Sequence, residues 1–277
     1  MKIYRLANKS WIVQEGVAYQ VEQDWDALIN RPNLYRQLSS EIQQLKVDPD
    51  FREQQSFDPP ALGQELWAAG VTYLRSREAR MAEAKDAGGG DFYNKVYHAD
   101  RPELFFKSTA ARLSGHIGEV CIRRDSTWNV PEPELTLFVC SAGSIEGYTI
   151  GNDMSSRSIE GENPLYLPQA KSYDGSAALG PCLWVPPAPI PEETTISLTI
   201  WRDGKTVFSD AIALARMKRK PPELVDWLFR ALSFSAGCYL MTGTGIVPPD
   251  DFTLQVGDRV DISIKGIGTL VNYVTLR

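Results

Sequence analysis

Two glutamates, Glu132 and Glu134, stand two positions apart in the segment VPEPELTLFV, at the head of a predicted strand. Because side chains alternate across a strand, both carboxylates project from one face, while Leu135, Leu137 and Val139 take the other. Two neighbouring carboxylates repel each other unless a cation lies between them or one is protonated. The pair is therefore a candidate cation site, although a solvated acidic strand end fits the same pattern.

A third carboxylate follows in the segment EGYTIGNDMSSR, where Asp153 shares a face of a second predicted strand with Thr149 and Gly151. If the two strands pair, Asp153 approaches the glutamates with only small residues around it. Such a site suits Mg²⁺, with Mn²⁺ or Ca²⁺ as alternatives, because these ions prefer oxygen ligands and leave positions free for substrate. The chain has only two histidines, His98 and His116, which excludes a histidine-rich metal site.

The overall composition is that of an ordinary globular chain, with 277 residues, 43% of them hydrophobic and 23% charged. The net charge of −6 argues against nucleic acids and membrane surfaces as partners, since both attract basic proteins. Four widely spaced cysteines without a CxxC pair favour reduced thiols. The N-terminus lacks the apolar core of a signal peptide and no apolar run could span a membrane, so we expect a cytoplasmic protein.

The elements that must position the carboxylates are mainly strands, which predicts an α+β fold that is mostly β. Residues 195–209 predict a hairpin that turns at Asp203-Gly204, and residues 259–276 predict two further strands. One helix is predicted to start at Pro221-Pro222. Its expected buried stripe consists of Leu224, Trp227, Leu228, Ala231 and Leu232.

Residues 1–60 are expected to form a small α/β region that precedes a catalytic domain at 61–277. Short strands are predicted at 2–6, 11–13 and 17–21, followed by a helical stretch from 25 to about 45. Two more helices are predicted at 61–69 and at 76–87, the second of which ends at a run of three glycines.

Five motifs, in this order, resemble the core of the fumarylacetoacetate hydrolase superfamily. They are PEPEL (131–135), GYTIGNDMSSR (147–157), KSYDGSAALGP (171–181), TGTGIVP (242–248) and GIGTLVN (266–272). The resemblance extends from about residue 104 to the C-terminus and implies the mixed β-sandwich or roll fold of that family. The implied metal ligands are Glu132, Glu134 and Asp153, and the implied pocket-lining residues are Arg157, Lys171 and Thr244.

A narrower resemblance is to the 2-keto-3-deoxy-pentonate dehydratases of the D-arabinonate type. It is carried by GVTYLRSREAR (70–80), RPELFFK (101–107), IRRDSTWNVPEPEL (122–135) and IEGENPLYLPQAK (159–171). Glu160 also stands where many hydrolases and decarboxylases of the superfamily carry a glutamine. This resemblance implies dehydration of a 2-keto-3-deoxy sugar acid to 2,5-dioxopentanoate. Lys171 is the first candidate for acid/base work and Glu119 the second, with a surface carboxylate as the alternative for Glu119.

One segment favours a different reaction. DFYNKVYHA (91–99) resembles the part of fumarylacetoacetate hydrolase that supplies an extra aspartate ligand and a catalytic histidine, with Asp91 and His98 at matching spacing. A C–C bond hydrolase of a 2,4-diketo acid is therefore the alternative, followed by a 2-oxo acid decarboxylase and by a catalytically silent binding protein. His116 and Glu119 are also candidates for an acid/base pair.

The remaining expectations concern substrate contacts and assembly. Arg75, Arg77 and Arg80 are candidates for holding a substrate carboxylate, with solvated charge as the alternative. Residues 88–119 are expected to close over the substrate as a lid, since exclusion of water strengthens the electrostatic effect of a bound metal. The resemblance implies a homodimer or a homotetramer.

Overall fold

The computed structural model describes residues 1–53, 55–83 and 90–277, without the side chains of residues 80, 82, 83 and 90–92. The strands of this part of the chain are β1 (Lys2–Leu6), β2 (Lys9–Gln14), β3 (Val17–Val21), β4 (Lys46–Val47), β5 (Glu65–Gly70), β6 (Glu103–Thr109), β7 (Leu113–Ser114), β8 (Gly118–Ile122), β9 (Asn129–Val139), β10 (Ile145–Ser156), β11 (Ala177–Trp184), β12 (Thr195–Arg202), β13 (Lys205–Ala213), β14 (Cys238–Met241), β15 (Arg259–Ile264) and β16 (Gly268–Leu276). The α-helices are α1 (Trp25–Ile29), α2 (Leu34–Glu41), α3 (Leu74–Glu83), α4 (Gly90–His98), α5 (Arg157–Glu162), α6 (Leu167–Lys171) and α7 (Pro221–Phe229).

The strands form two sheets that face each other. Within the described ranges the larger sheet has 11 strands, with the long antiparallel pair β9 and β10 between β11 on one side and β14 on the other. The smaller sheet has the order β13-β12-β15-β16-β8. Leu135 and Leu137 of β9 share one hydrophobic core with Leu198 and Ile262 of the smaller sheet. This mainly β, two-layer arrangement confirms the predicted fold class.

Several local predictions are confirmed because local chemistry decides them. The β12–β13 hairpin turns at Asp203 and Gly204, both of which have positive φ, as the favoured two-residue hairpin turn requires. Strands β15 and β16 occupy the predicted segment 259–276. Helix α7 begins with Pro221, whose fixed φ suits the first turn. The predicted buried stripe ends early, because α7 stops at Phe229 and leaves Leu232 40% exposed.

One helix prediction is wrong, and a second is confirmed only in part. The segment predicted as a helix at 61–69 contains strand β5, which pairs with β14 and β6, so tertiary pairing overrides the helical propensity of its alanines and leucines. The helical stretch predicted from 25 to 45 is divided into α1 and α2 with a 3₁₀ turn after them. The division falls at Pro32, which disfavours helical backbone in the residue before it. Helix α3 starts at Leu74, and residues 84–87 of its predicted end lie outside the described residues.

The N-terminal strands extend the larger sheet, since β1 pairs with β11 and is followed outward by β2, β3 and β4. The domain boundary at residue 60 stays a prediction.

All four cysteines are free and buried. Among the described helices, none combines the length and the apolar composition needed to cross a lipid bilayer.

Candidate active site

The β9–β10 ladder brings the three predicted carboxylates together. Asp153 stands directly opposite Glu132, and the small residue Gly151 stands opposite Glu134. All three acidic side chains are buried, and each offers an oxygen that lies within 4.8 Å of the others. The strand pairing inferred from the sequence therefore produces a compact set of oxygen donors.

The electrostatics of this cluster favour a cation. Burial, followed by repulsion from Asp153 and Glu132, raises the pKa of Glu134 well above its ordinary value. The backbone N–H of Gly243 donates a hydrogen bond of 2.5 Å to Glu134 Oε2 and partly compensates its charge. Three buried carboxylates with this degree of mutual repulsion fit a hard divalent cation such as Mg²⁺.

Lys171 lies at the end of α6, and its buried side chain points into the cluster. Its Nζ donates to Glu132 Oε2 at 2.7 Å and to Asp153 Oδ2 at 3.0 Å. It also donates to Ser155 Oγ at 2.5 Å. An amine held against two of the three carboxylates is positioned to exchange a proton with a molecule bound there.

Arg157 and Glu160 occupy the first turn of α5, directly after β10. The Nη2 of Arg157 donates to Glu132 Oε1 at 2.6 Å. The buried carboxylate of Glu160 lies 3.7 Å from Arg157 Nε and 3.7 Å from Lys171 Nζ. The glutamate noted in the sequence at position 160 is therefore part of the same charged network.

Lys107 is a member of the site that the sequence analysis missed. Its fully buried Nζ lies 2.6 Å from Asp153 Oδ1, and it donates to the backbone oxygen of Met154 at 3.0 Å and to that of Lys171. Burial lowers the pKa of Lys107, and the charge of Asp153 opposes that shift. The sequence signal for Lys107 is a charged residue directly after the apolar run Leu104-Phe105-Phe106. Its ion-pair partner, Asp153, lies far away in the sequence, so the signal alone did not identify the contact.

Thr244 lies on the loop after β14, next to the Gly243 amide that holds Glu134. The hydroxyl of Thr244 donates to the backbone oxygen of Ile246 at 3.2 Å and accepts a hydrogen bond from its N–H at 3.2 Å. The side chain is buried. Thr244 therefore follows the residue that holds Glu134, while its own hydroxyl is hydrogen-bonded within the loop.

Glu119 and His116 are not brought to the cluster. Glu119 is exposed on β8, opposite Tyr273 of β16, since β8 is an outer strand of the smaller sheet. The Nδ1 of His116 accepts a hydrogen bond of 3.2 Å from the N–H of Val271. Within the described part of the chain, no hydrogen bond or ion pair joins Glu119 to His116 or to the carboxylates. The expected acid/base pair is therefore not formed.

His98 and Arg75 also have their described side-chain contacts away from the cluster. His98 is exposed at the end of α4, with Nδ1 2.9 Å from the backbone oxygen of Asn94. Arg75 pairs with Asp210 at 2.9 Å, and its side chain is largely exposed, which favours solvated charge. The side chains of Asp91 and Arg80 lie outside the described residues, as do residues 88–89 of the expected lid.

Known proteins resemble this chain in both sequence and structure. The sequence profile of the fumarylacetoacetate (FAA) hydrolase C-terminal family matches residues 75–275. A probable 2-keto-3-deoxyxylonate dehydratase from Haloferax volcanii is 49% identical over 217 residues, which cover 78% of this chain and 74% of that protein. A 2-dehydro-3-deoxy-D-arabinonate dehydratase from Saccharolobus solfataricus is 43% identical over 232 residues, or 82% of this chain and 76% of that protein.

The comparison with solved structures leads to the same group of dehydratases as the sequence comparison. A solved structure of 2-keto-3-deoxy-D-arabinonate dehydratase, complexed with magnesium and 2,5-dioxopentanoate, matches with a TM-score of 0.86 and 33% sequence identity. The match covers 100% of this chain and 99% of that chain. The resemblance inferred from the five motifs is thereby confirmed. The chain belongs to the fumarylacetoacetate hydrolase C-terminal family, in the branch of the 2-keto-3-deoxy-D-arabinonate and 2-keto-3-deoxyxylonate dehydratases.

Proposed function

We propose that this protein is a magnesium-dependent hydro-lyase that dehydrates a 2-keto-3-deoxy pentonate to 2,5-dioxopentanoate. The observation that carries the proposal is the buried set of three carboxylates with a lysine hydrogen-bonded to two of them. The relatives support it, because they are named dehydratases of such acids, and one of the related structures contains magnesium and 2,5-dioxopentanoate.

Glu132, Glu134 and Asp153 are the residues that would hold the Mg²⁺ ion, through the oxygen ligands that this ion prefers. When bound, the ion supplies a Lewis acid that draws electron density from a 2-oxo acid and so acidifies the protons at C3. Mn²⁺ or Ca²⁺ would fit the same donor set.

Lys171 is the proposed acid/base residue. Its Nζ is buried beside Glu132 and Asp153, so it meets the substrate in a site from which bulk water is excluded. We assign to it the transfer of a proton from C3 to the departing C4 hydroxyl, which leaves as water. The C3–H and C4–O bonds break and a C3–C4 double bond forms. Tautomerisation of this 5-hydroxy-2-oxo-3-enoate then moves one proton from C5 to C3 and the O5 proton to C4, which gives the C5 aldehyde of 2,5-dioxopentanoate without a further reactant.

Arg157 and Thr244 are the proposed substrate-binding residues, together with Lys171. Arg157 fixes the orientation of Glu132 through a hydrogen bond of 2.6 Å and supplies a positive charge that suits the carboxylate of a 2-oxo acid. Thr244 lies on the loop that anchors Glu134. Glu119 has no role in this proposal, because it is exposed on β8.

The alternative C–C hydrolase would need a histidine close to the carboxylates to activate water. Within the described residues, the His98 imidazole hydrogen-bonds to its own helix and the His116 imidazole accepts a hydrogen bond from Val271. Dehydration is therefore the better supported reaction.

From the family resemblance we also propose a cytoplasmic homodimer or homotetramer. A monomeric mass by light scattering at micromolar concentration would refute that assembly.

The deciding experiment incubates the purified protein and Mg²⁺ with 2-keto-3-deoxy-D-arabinonate, its L-epimer and a 2,4-diketo acid, and identifies the products by mass. We expect loss of one water from a deoxy acid, abolished by EDTA and absent in Lys171→Met. Cleavage of the diketo acid into two shorter acids, with both deoxy acids untouched, would replace the dehydratase with a hydrolase.

A further inference from the structure

Tyr73 has a buried hydroxyl that lacks a partner. The residue lies between the end of β5 and the start of α3, and it is only 1% exposed. Its phenol oxygen makes no hydrogen bond within the described part of the chain. Buried hydroxyls are nearly always paired in folded proteins, because an unpaired one loses its hydrogen bonds to water without replacement. A bound ligand that accepts a hydrogen bond from this hydroxyl would remove the free-energy cost of burying it unpaired.

The ring of Tyr73 lies against the loop that forms one wall of the carboxylate site. A Cβ at Gly245 would lie 2.6 Å from Cδ1 and 2.9 Å from Cγ of Tyr73, so only glycine permits this close approach. Two residues earlier, Gly243 donates its N–H to Glu134 Oε2. The neighbouring Thr72 is also bonded to this part of the chain, since its hydroxyl donates to the backbone oxygen of Thr242 at 2.7 Å.

The phenol hydroxyl of Tyr73 is suited to donate a hydrogen bond. Burial, with a smaller effect from the negative charge of Glu134, raises the pKa of Tyr73 above its ordinary value. The hydroxyl therefore keeps its proton at neutral pH and can donate a hydrogen bond but does not act as a base. Lys171 and Arg157 both contact Glu132, whereas the ring of Tyr73 lies against Gly245, two residues after the amide that holds Glu134.

We propose that Tyr73 is a substrate-binding residue whose phenol donates a hydrogen bond to an oxygen at the 2-oxo acid end of the substrate. The proposal rests on the proposed function and deepens it. The 2-oxo acid end is the part expected nearest the carboxylate cluster, because its carboxylate and keto oxygens would suit a Mg²⁺ ion held there. A donor aimed at an oxygen that gains negative charge as the C3 proton leaves also stabilises the transition state.

The test compares Tyr73→Phe with Tyr239→Phe, a control at a buried tyrosine whose hydroxyl donates to the backbone oxygen of Pro60. The probe is 2-oxopentanoate, which carries the 2-oxo acid end without the sugar hydroxyls, and binding in the presence of Mg²⁺ is measured by calorimetry. We expect Tyr73→Phe to weaken this binding about tenfold, without lowering the melting temperature of the ligand-free protein or its affinity for Mg²⁺. Tyr239→Phe should lower the melting temperature and leave binding unchanged.

Two results would overturn the proposal for Tyr73 alone. One is unchanged binding of 2-oxopentanoate by Tyr73→Phe while the wild-type protein dehydrates the deoxy acid. The other is a lower melting temperature of ligand-free Tyr73→Phe, which would reveal a structural partner for the hydroxyl. A wild-type protein that binds no 2-oxopentanoate with Mg²⁺ would instead refute the proposed function, and the role of Tyr73 with it.

Discussion

Lys107→Met removes a buried charge that connects two parts of the active site. The Nζ of Lys107 lies 2.6 Å from Asp153 Oδ1 and donates to the backbone oxygens of Met154 and Lys171. One side chain thus holds a candidate metal ligand on β10 and the end of the helix that carries the proposed acid/base residue, Lys171. Methionine is flexible and of similar length, so the substitution removes the charge and keeps most of the packing.

The expected cost follows from the burial of both partners, whose side chains are 0% and 1% exposed. Removing one partner of a buried ion pair costs roughly 3–5 kcal/mol, because the other charge stays buried without compensation. Asp153 keeps its hydrogen bond from Lys171, which favours the lower part of that range. At roughly 2–4 °C per kcal/mol for a protein of about this size, the melting temperature of the metal-free variant should fall by roughly 6–12 °C.

Calorimetry in EDTA and in excess Mg²⁺ measures this effect. The loss should be smaller in Mg²⁺, because the cation takes over part of the neutralisation of Asp153. Lys205→Met is the matched control, since Lys205 is an exposed strand lysine and its replacement should leave the melting temperature unchanged. A loss below about 2 °C in EDTA would contradict the buried-pair reasoning. An equal loss in EDTA and in Mg²⁺ would contradict the assignment of Asp153 to the cation site.

Three further predictions address the remaining site residues. Lys171→Met should lower kcat by roughly 10²–10⁴-fold in the dehydration assay while Mg²⁺ affinity by calorimetry persists, and near-normal turnover would exclude Lys171 as the acid/base residue. Glu134→Gln removes one of the three carboxylates, so Mg²⁺ should bind more weakly and stabilise the variant less than the wild type; an unchanged Mg²⁺ titration would remove Glu134 from the site. Glu119→Gln and His98→Ala alter exposed side chains, so both should retain wild-type kcat, and a tenfold loss in either would return that residue to the catalytic set.

The carboxylate pair of β9 illustrates what the sequence could predict. Alternation over two neighbouring strands put Glu132, Glu134 and Asp153 on adjoining faces, and the observed register agrees. The alternation of side chains could not predict that β9 is buried on both faces, because carboxylates in a strand usually indicate a solvent-exposed face. The helix predicted at 61–69 failed for a related reason, because strand pairing by β5 depends on β14, which is distant in sequence.

The cationic partners of the site mark the limit of local sequence reasoning. Three carboxylates within 4.8 Å tolerate burial because Lys107, Arg157 and Lys171 surround them. These cations come from β6, from the start of α5 and from the end of α6, so they converge only when the tertiary fold is complete. The acidic residues occupy one pair of neighbouring strands, which a local pattern can identify, whereas Lys107 reaches Met154 across 47 residues of chain. Substituting Lys107 therefore tests the metal site and the packing of β6 together.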